Sequence, residues 1–204
     1  MILAIESSTP NGSLALLDPE SGKVVFEREF VSDRAHNSVI FEPLAAALDS
    51  VAANPDRIVI GTGPGSYSGV RVGIAVANAL SIALGAEVIG LPSIVALDIA
   101  AESYLVAGDA RRNSFYLAEI RDRQLLAAPK VLDPEEFADA VRNAALPVFS
   151  TDSKSPADLT EITLAKPRAD LLASIGAASV VTGEPIEPLY IRAPYITTPK
   201  PRRI

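Results

Sequence analysis

Three groups of residues in this chain could do chemistry by their type and spacing. Glu6 closes a short apolar run beside Ser7, Ser8 and Thr9. A carboxylate next to hydroxyls can hold a metal-bound phosphate, or it can simply accept backbone N–H bonds in a turn. The second group is Gly61-Thr62-Gly63-Pro64-Gly65-Ser66-Tyr67-Ser68-Gly69-Val70-Arg71-Val72-Gly73, followed by an apolar run to Gly85. Such a turn exposes N–H groups at the positive end of a helix, where an anion can sit. Glu6, Gly63, Gly65 and Ser66 are the residues that would make a nucleotide or phosphate contact; a purely structural turn is the competing reading. The third group, Asp109 with Arg111 and Arg112, could grip phosphate bidentately or form a solvated Asp–Arg turn.

Counting positions removes several chemistries. No Lys follows the last glycine of the turn, and Gly61, Gly63 and Gly65 do not set up G-x-G-x-x-G, so neither a Walker loop nor a dinucleotide fingerprint is present. Tyr67 holds the centre of Gly65-Ser66-Tyr67-Ser68-Gly69, where a nucleophile elbow requires Ser. His36 is the only histidine and there is no cysteine, which excludes paired-histidine and thiolate metal sites within this chain. His36 stands just before a predicted helix and reads as a helix-entry or interface residue.

These residues need elements to position them. Ile2–Glu6, Ser13–Leu17 and Lys23–Phe30 read as strands of an antiparallel meander. Asn37 or Ser38 can cap a helix carrying Ile40, Leu44, Ala47, Leu48 and Val51, with Pro43 bending its start. Residues 57–60 form a strand that feeds the glycine turn, Ser66 or Ser68 caps the helix after it, and residues 87–90 form the next strand. Gly69, Gly73, Ala77, Ser81 and Gly85 line one face of that helix with small side chains. With only Arg71, Asn78 and Ser81 polar, the helix either meets the core on one side and a partner on the other, or is sandwiched within its own domain.

This order predicts a mixed sheet covered by helices, and it resembles the ribonuclease-H-like half of an actin-type fold. Residues 104–109 and 114–119 repeat strand, acidic residue, turn and strand, so a duplicated α/β architecture is expected: a lobe over 1–98 and a smaller one over 99–204, with an irregular tail at 194–204. In the second lobe, helices are predicted over 134–144 and 168–180, strands over 147–150 and 187–192, and a sheet smaller than the first.

With 204 residues and 49% hydrophobic composition the chain can bury a substantial core. A net charge of −7 argues against broad nucleic-acid binding by this chain alone, so any nucleic-acid role would need a basic partner; Lys200, Arg202 and Arg203 in the tail read as a solvated end, with a contact to a partner or RNA as the alternative. The N-terminus has no basic or long apolar leader and the run near 70–85 is shorter than the roughly 20 residues that span a bilayer, so a soluble cytoplasmic protein is expected, with no membrane partner.

Together, Ile2–Glu6 with Ser7–Thr9, His36-Asn37-Ser38, the Gly61–Gly73 signature, Asp109-Ala110-Arg111 and Glu187–Arg192 resemble the TsaB (YeaZ) family. The resemblance implies an actin-like ATPase fold that has lost independent catalysis. It implies a heterodimer with TsaD in making threonylcarbamoyladenosine in tRNA, work alongside TsaE, and a homodimer through the same helices. ATP and magnesium would act only in the complex. Ser93 and Leu97 align with the TsaD metal histidines and cannot replace imidazole. The interface implied comprises His36, Val39, Ile40 and Pro43 of the first helix with Gly69, Val70, Gly73, Ala77 and Ser81 of the second. The competing class is an ATP-dependent phosphotransferase or hydrolase built on Glu6 and the glycine turn.

Overall fold

The computed structural model describes residues 1–32, 37–181 and 183–192; His36 and the tail at 194–204 lie outside them. Strand β1 (Ile2–Glu6) pairs antiparallel with β2 (Asn11–Asp18), which pairs antiparallel with β3 (Lys23–Val31). On its other edge β1 pairs parallel with β4 (Arg57–Gly61), and β4 with β5 (Glu87–Leu91), giving the order β3-β2-β1-β4-β5. Helices α1 (Phe41–Asp49) and α2 (Tyr67–Leu84) lie on one face of this sheet.

Because β1 is covered on both sides, its residues are apolar without interruption until Glu6. Leu3 and Ile5 pack with Leu14, Ile58, Ile60, Leu44, Ile74 and Ala77 under the two helices. Ile2 and Ala4 belong to a second core with Val59, Tyr104, Val106 and Leu172.

The pattern then repeats. Strand β6 (Tyr104–Asp109) pairs antiparallel with β7 (Phe115–Arg121), and β7 with the short β8 (Gln124–Leu125) and β9 (Lys130–Leu132). After α3 (Pro134–Arg142), β10 (Val148–Ser150) returns parallel beside β6, and β11 (Ile162–Leu164) parallel beside β10. In both sheets an antiparallel hairpin sits next to parallel crossovers.

The second lobe is abbreviated as expected: among the described residues its sheet has six strands against five in the first, but four of the six are three residues long or shorter. Two expectations are corrected. Residues 187–192 are not a strand; they cross over the glycine turn, where the Leu189 N–H donates to the Thr62 carbonyl at 2.8 Å. The first helix enters through a 3-10 turn (Asn37–Ile40) with Ile40 at its N-cap and no side-chain cap, the backbone turn replacing the predicted one.

The last helix, α4 (Ala169–Ala177), packs on β1, β2 and β4, on the face away from α1 and α2. Its buried start is tied by the Ala169 N–H to Ser13 Oγ at 3.0 Å. At its end the Arg57 guanidinium donates to the carbonyls of Gly176 (3.2 Å) and Ala177 (3.3 Å), a cation meeting the negative end of the helix. By length and composition α2 could cross a bilayer, yet its Gly73 and Ala77 are seated in the core of the first lobe.

Candidate functional site

The sheet carries Glu6 to the carboxyl end of β1, where its side chain is wholly buried. The Ser8 N–H donates to Glu6 Oε1 at 2.6 Å, while Glu6 Oε2 and Ser8 Oγ find no hydrogen-bond partner among the described residues. Burial pushes the Glu6 carboxyl above the ordinary glutamate range, against a smaller downward pull from Ser8 and Ser93.

Opposite Glu6, β4 ends in Gly61, where a side chain has no room. A Cβ there would lie 2.0 Å from Glu6 Oε2 and 2.6 Å from Ser93 Oγ. Ser93 then closes the turn in both directions: its Oγ accepts from the Gly63 N–H at 3.0 Å and its N–H donates to the Gly63 carbonyl at 2.7 Å. Leu97 is buried in the core between the sheets.

The glycine turn packs onto the loop after β1. The Ser66 N–H donates to the Ser8 carbonyl at 2.6 Å, and a Cβ on Gly65 would lie 2.1 Å from that oxygen. Ser7 Oγ donates to the Gly69 carbonyl at 3.0 Å, and the Gly69 N–H donates to the N-cap Ser66 Oγ at 3.3 Å. The fold therefore brings Glu6, Gly63, Gly65 and Ser66 together, linked through Ser8 and Ser93. The N–H groups of Gly63, Ser66 and Gly69, which could have faced an anion, are each bonded within the chain.

Asp109, Arg111 and Arg112 stand at the turn between β6 and β7, apart from this cluster. Asp109 and Arg111 pair at 3.0 Å with both side chains largely exposed, an arrangement worth little to stability. The Asp109 N–H donates to Asp152 Oδ2 at 2.9 Å, and burial raises the Asp152 carboxyl above its usual range.

Much of the interface set is corrected by burial. Ile40, Pro43, Val70, Gly73 and Ala77 lie inside the first lobe. A Cβ on Gly73 would meet Ser7 Oγ at 2.4 Å and Ile60 Cδ1 at 2.8 Å, so the small-residue stripe lets α2 approach its own sheet. Val39, Gly69 and Ser81 are half-buried at the margin. What α2 leaves in solvent is the face of Tyr67, Arg71, Ala75, Asn78, Ala79 and Ile82, with Tyr67 59% and Ile82 86% exposed. Arg71 donates to the Tyr67 hydroxyl and stacks over its ring at 5.1 Å, and α1 adds Phe41, 54% exposed. Residues 71, 75, 78, 79 and 82 share one face at helical spacing, but with mostly alanine on this face and small or apolar residues on the other, both stripes look alike in sequence.

Comparison with known proteins agrees with this geometry. The family model described as TsaD, tRNA N6-adenosine threonylcarbamoyltransferase, matches residues 30–162. An uncharacterized protein of Mycobacterium tuberculosis is 32% identical over 208 residues, which cover 95% of this chain and 92% of that protein. The tRNA threonylcarbamoyladenosine biosynthesis protein TsaB of Haemophilus influenzae is 32% identical over 132 residues, 58% of this chain and 53% of that protein. The solved structure of YeaZ from Pseudomonas aeruginosa superimposes with a TM-score of 0.68 at 26% identity, covering 91% of this chain and 95% of that one. With its duplicated mixed sheets, its glycine turn and these similarities, the chain has an actin-like ATPase fold and belongs to the TsaB (YeaZ) family.

Proposed function

We propose that this chain takes part in forming threonylcarbamoyladenosine in tRNA as a non-catalytic cytoplasmic subunit that binds and activates TsaD, docking through the exposed face of α2. TsaD would transfer the threonylcarbamoyl group to the adenosine beside the anticodon, with TsaE, ATP and magnesium acting on the complex and tRNA reached only through it. The observation that carries the reading is the α2 face itself. It is solvent-exposed, nearly uncharged and continuous from Tyr67 to Ile82, on a helix whose opposite face is fixed in the core. A strip of alanines with aromatic and aliphatic anchors at Tyr67, Phe41 and Ile82 suits close contact with a helix of a partner or of a second copy. Three of the proposed contacts, Val39, Gly69 and Ser81, are half-buried at the margin; His36 lies outside the described residues.

The glycine turn then serves as architecture: it launches α2 at the angle that presents the face. The internally bonded N–H groups and the complete burial of the Glu6 side chain support this role over the phosphate contact and over an independent ATP-dependent phosphotransferase or hydrolase.

Mass measurement of the purified chain mixed with TsaD tests the proposal. The expected result is a complex with wild type that is lost in Ile82→Arg, a surface change that should leave the fold within about 0.5 kcal/mol of wild type. Retention of the complex by well-folded Ile82→Arg overturns the α2 assignment. Turnover of ATP by the isolated chain that disappears in Glu6→Gln would instead establish the enzyme reading.

A further inference from the structure

We propose that residues 183–192 are a strap tying the glycine turn of the first lobe to the strand-end turn of the second, so that a disturbance at either end is felt at the other. The segment has no regular structure and is held by side-chain packing and hydrogen bonds. Ile186 covers the outer strand β5: a Cβ on Gly90 would lie 2.8 Å from Ile186 Cγ2. The Leu189 N–H donates to the Thr62 carbonyl at 2.8 Å, inside the glycine turn. The Tyr190 ring lies 6.0 Å from the ring of Tyr67 in the first turn of α2. Two residues on, Arg192 Nη2 donates at 2.5 Å to Ser114 Oγ, which itself donates to the Arg111 carbonyl at 2.7 Å.

The chain of contacts is therefore physically continuous from α2 through Tyr190 and Arg192 to the β6–β7 turn. That turn holds Arg111, Arg112 and Asn113 at positive φ (65, 55 and 53°), a conformation that ordinary residues keep only where neighbours hold it. Where the strap begins, an open cleft of about 380 Å3 separates residues such as Gly183 and Pro185 from Asn78 and Ser81 of α2. Within the strap Ile186 packs against the first-lobe core and Ile191 against the core shared by the sheets, while Glu187, Tyr190 and Arg192 stay exposed, so it grips both lobes through separate residues and keeps an irregular backbone, from which local release is easier than from a strand or helix.

Hydrogen exchange of the 204-residue chain, read peptide by peptide, tests the strap without any partner. Tyr190→Ala, made at the glycine-turn end, should accelerate exchange in 109–116 by about threefold to tenfold, and Arg192→Ala, made at the second-lobe end, should do the same in 62–73, while β2 and β3 stay unchanged. If each variant accelerates exchange only at its own end, the inference is overturned. If either variant loosens β2 and β3 as well, the milder Tyr190→Leu or Arg192→Gln replaces it at the same end and the same comparison decides. Adding TsaD separates the strap from the docking proposal, on which this arm alone rests. Slower exchange in both 67–83 and 109–116 of wild type, with the second effect lost in Tyr190→Ala, supports both. Slower exchange in 67–83 alone leaves docking standing and removes the coupling. No change in either counts against docking, and the strap is then decided by the variants without TsaD.

Discussion

Glu6 shows how one residue fixes the character of the site. Its carboxyl closes β1 beside Ser7, Ser8 and Thr9, yet it is sealed under Gly61 and Ser93 and burial raises its pKa above 4.5, the ordinary glutamate value. The folded state therefore holds this proton more tightly than the unfolded chain does. Its contribution to stability is fully present below about pH 4.5 and is lost as pH rises through the folded-state pKa. Glu6→Gln stays neutral and offers N–H donors near the unpartnered Ser8 Oγ. Urea midpoints measured from pH 4 to 8 should show wild type losing stability relative to Glu6→Gln as pH increases; parallel curves would mean the carboxyl is not buried as described. At Gly61 an added methyl collides with Glu6 Oε2, so Gly61→Ala should cost about 1–3 kcal/mol in the same experiment.

At the scale of the element, α2 divides its labour between two faces. Ser66 caps its start, Gly85 closes its end with φ 68°, and Gly73 and Ala77 bring it down onto the sheet. Gly73→Ala must displace Ser7 Oγ or Ile60 and should lower stability by about 1–3 kcal/mol, readable as an earlier denaturant midpoint at constant slope. Ala77→Arg, placed in the core, should fail to fold and so says nothing about partners, whereas Ala79→Arg on the solvent face should fold normally and lose TsaD in co-elution. Equal melting of the two variants would refute this division of faces.

For the whole molecule, α4 is the element that joins the halves, since it comes late in the chain and covers the back of the first sheet. Ser13 Oγ receives its first buried N–H, Arg57 holds its last carbonyls, and Arg168 reaches Glu27 of β3 at 2.5 Å and Asp170 at 2.9 Å. Ser13→Ala leaves the Ala169 N–H buried without an acceptor and should cost about 1–3 kcal/mol in calorimetry, with both lobes still melting in one transition because Tyr104, Val106 and Leu172 share a core with Ile2 and Ala4. Two separate transitions would show that the halves are independent.

What the sequence determined by itself is local or carried by the motif. Strand period, the uninterrupted apolar run of β1, a serine cap at Ser66 or Ser68 and the glycine turn mark the first lobe and the family, because each depends on neighbours within a few residues, and the structure settles the cap on Ser66. The repeat of strand, turn and strand at 104–119 marked the second half. Only the tertiary structure decided which stripe of α2 faces water, since small residues on one face and alanines on the other look alike until Ser7 and Ile60 are seen to fill the gap above Gly73. It also decided that 187–192 forms a strap rather than a strand. An apolar stretch becomes a strand only where an edge is offered to it, and here the Thr62 carbonyl and the Tyr67 ring claim its residues first.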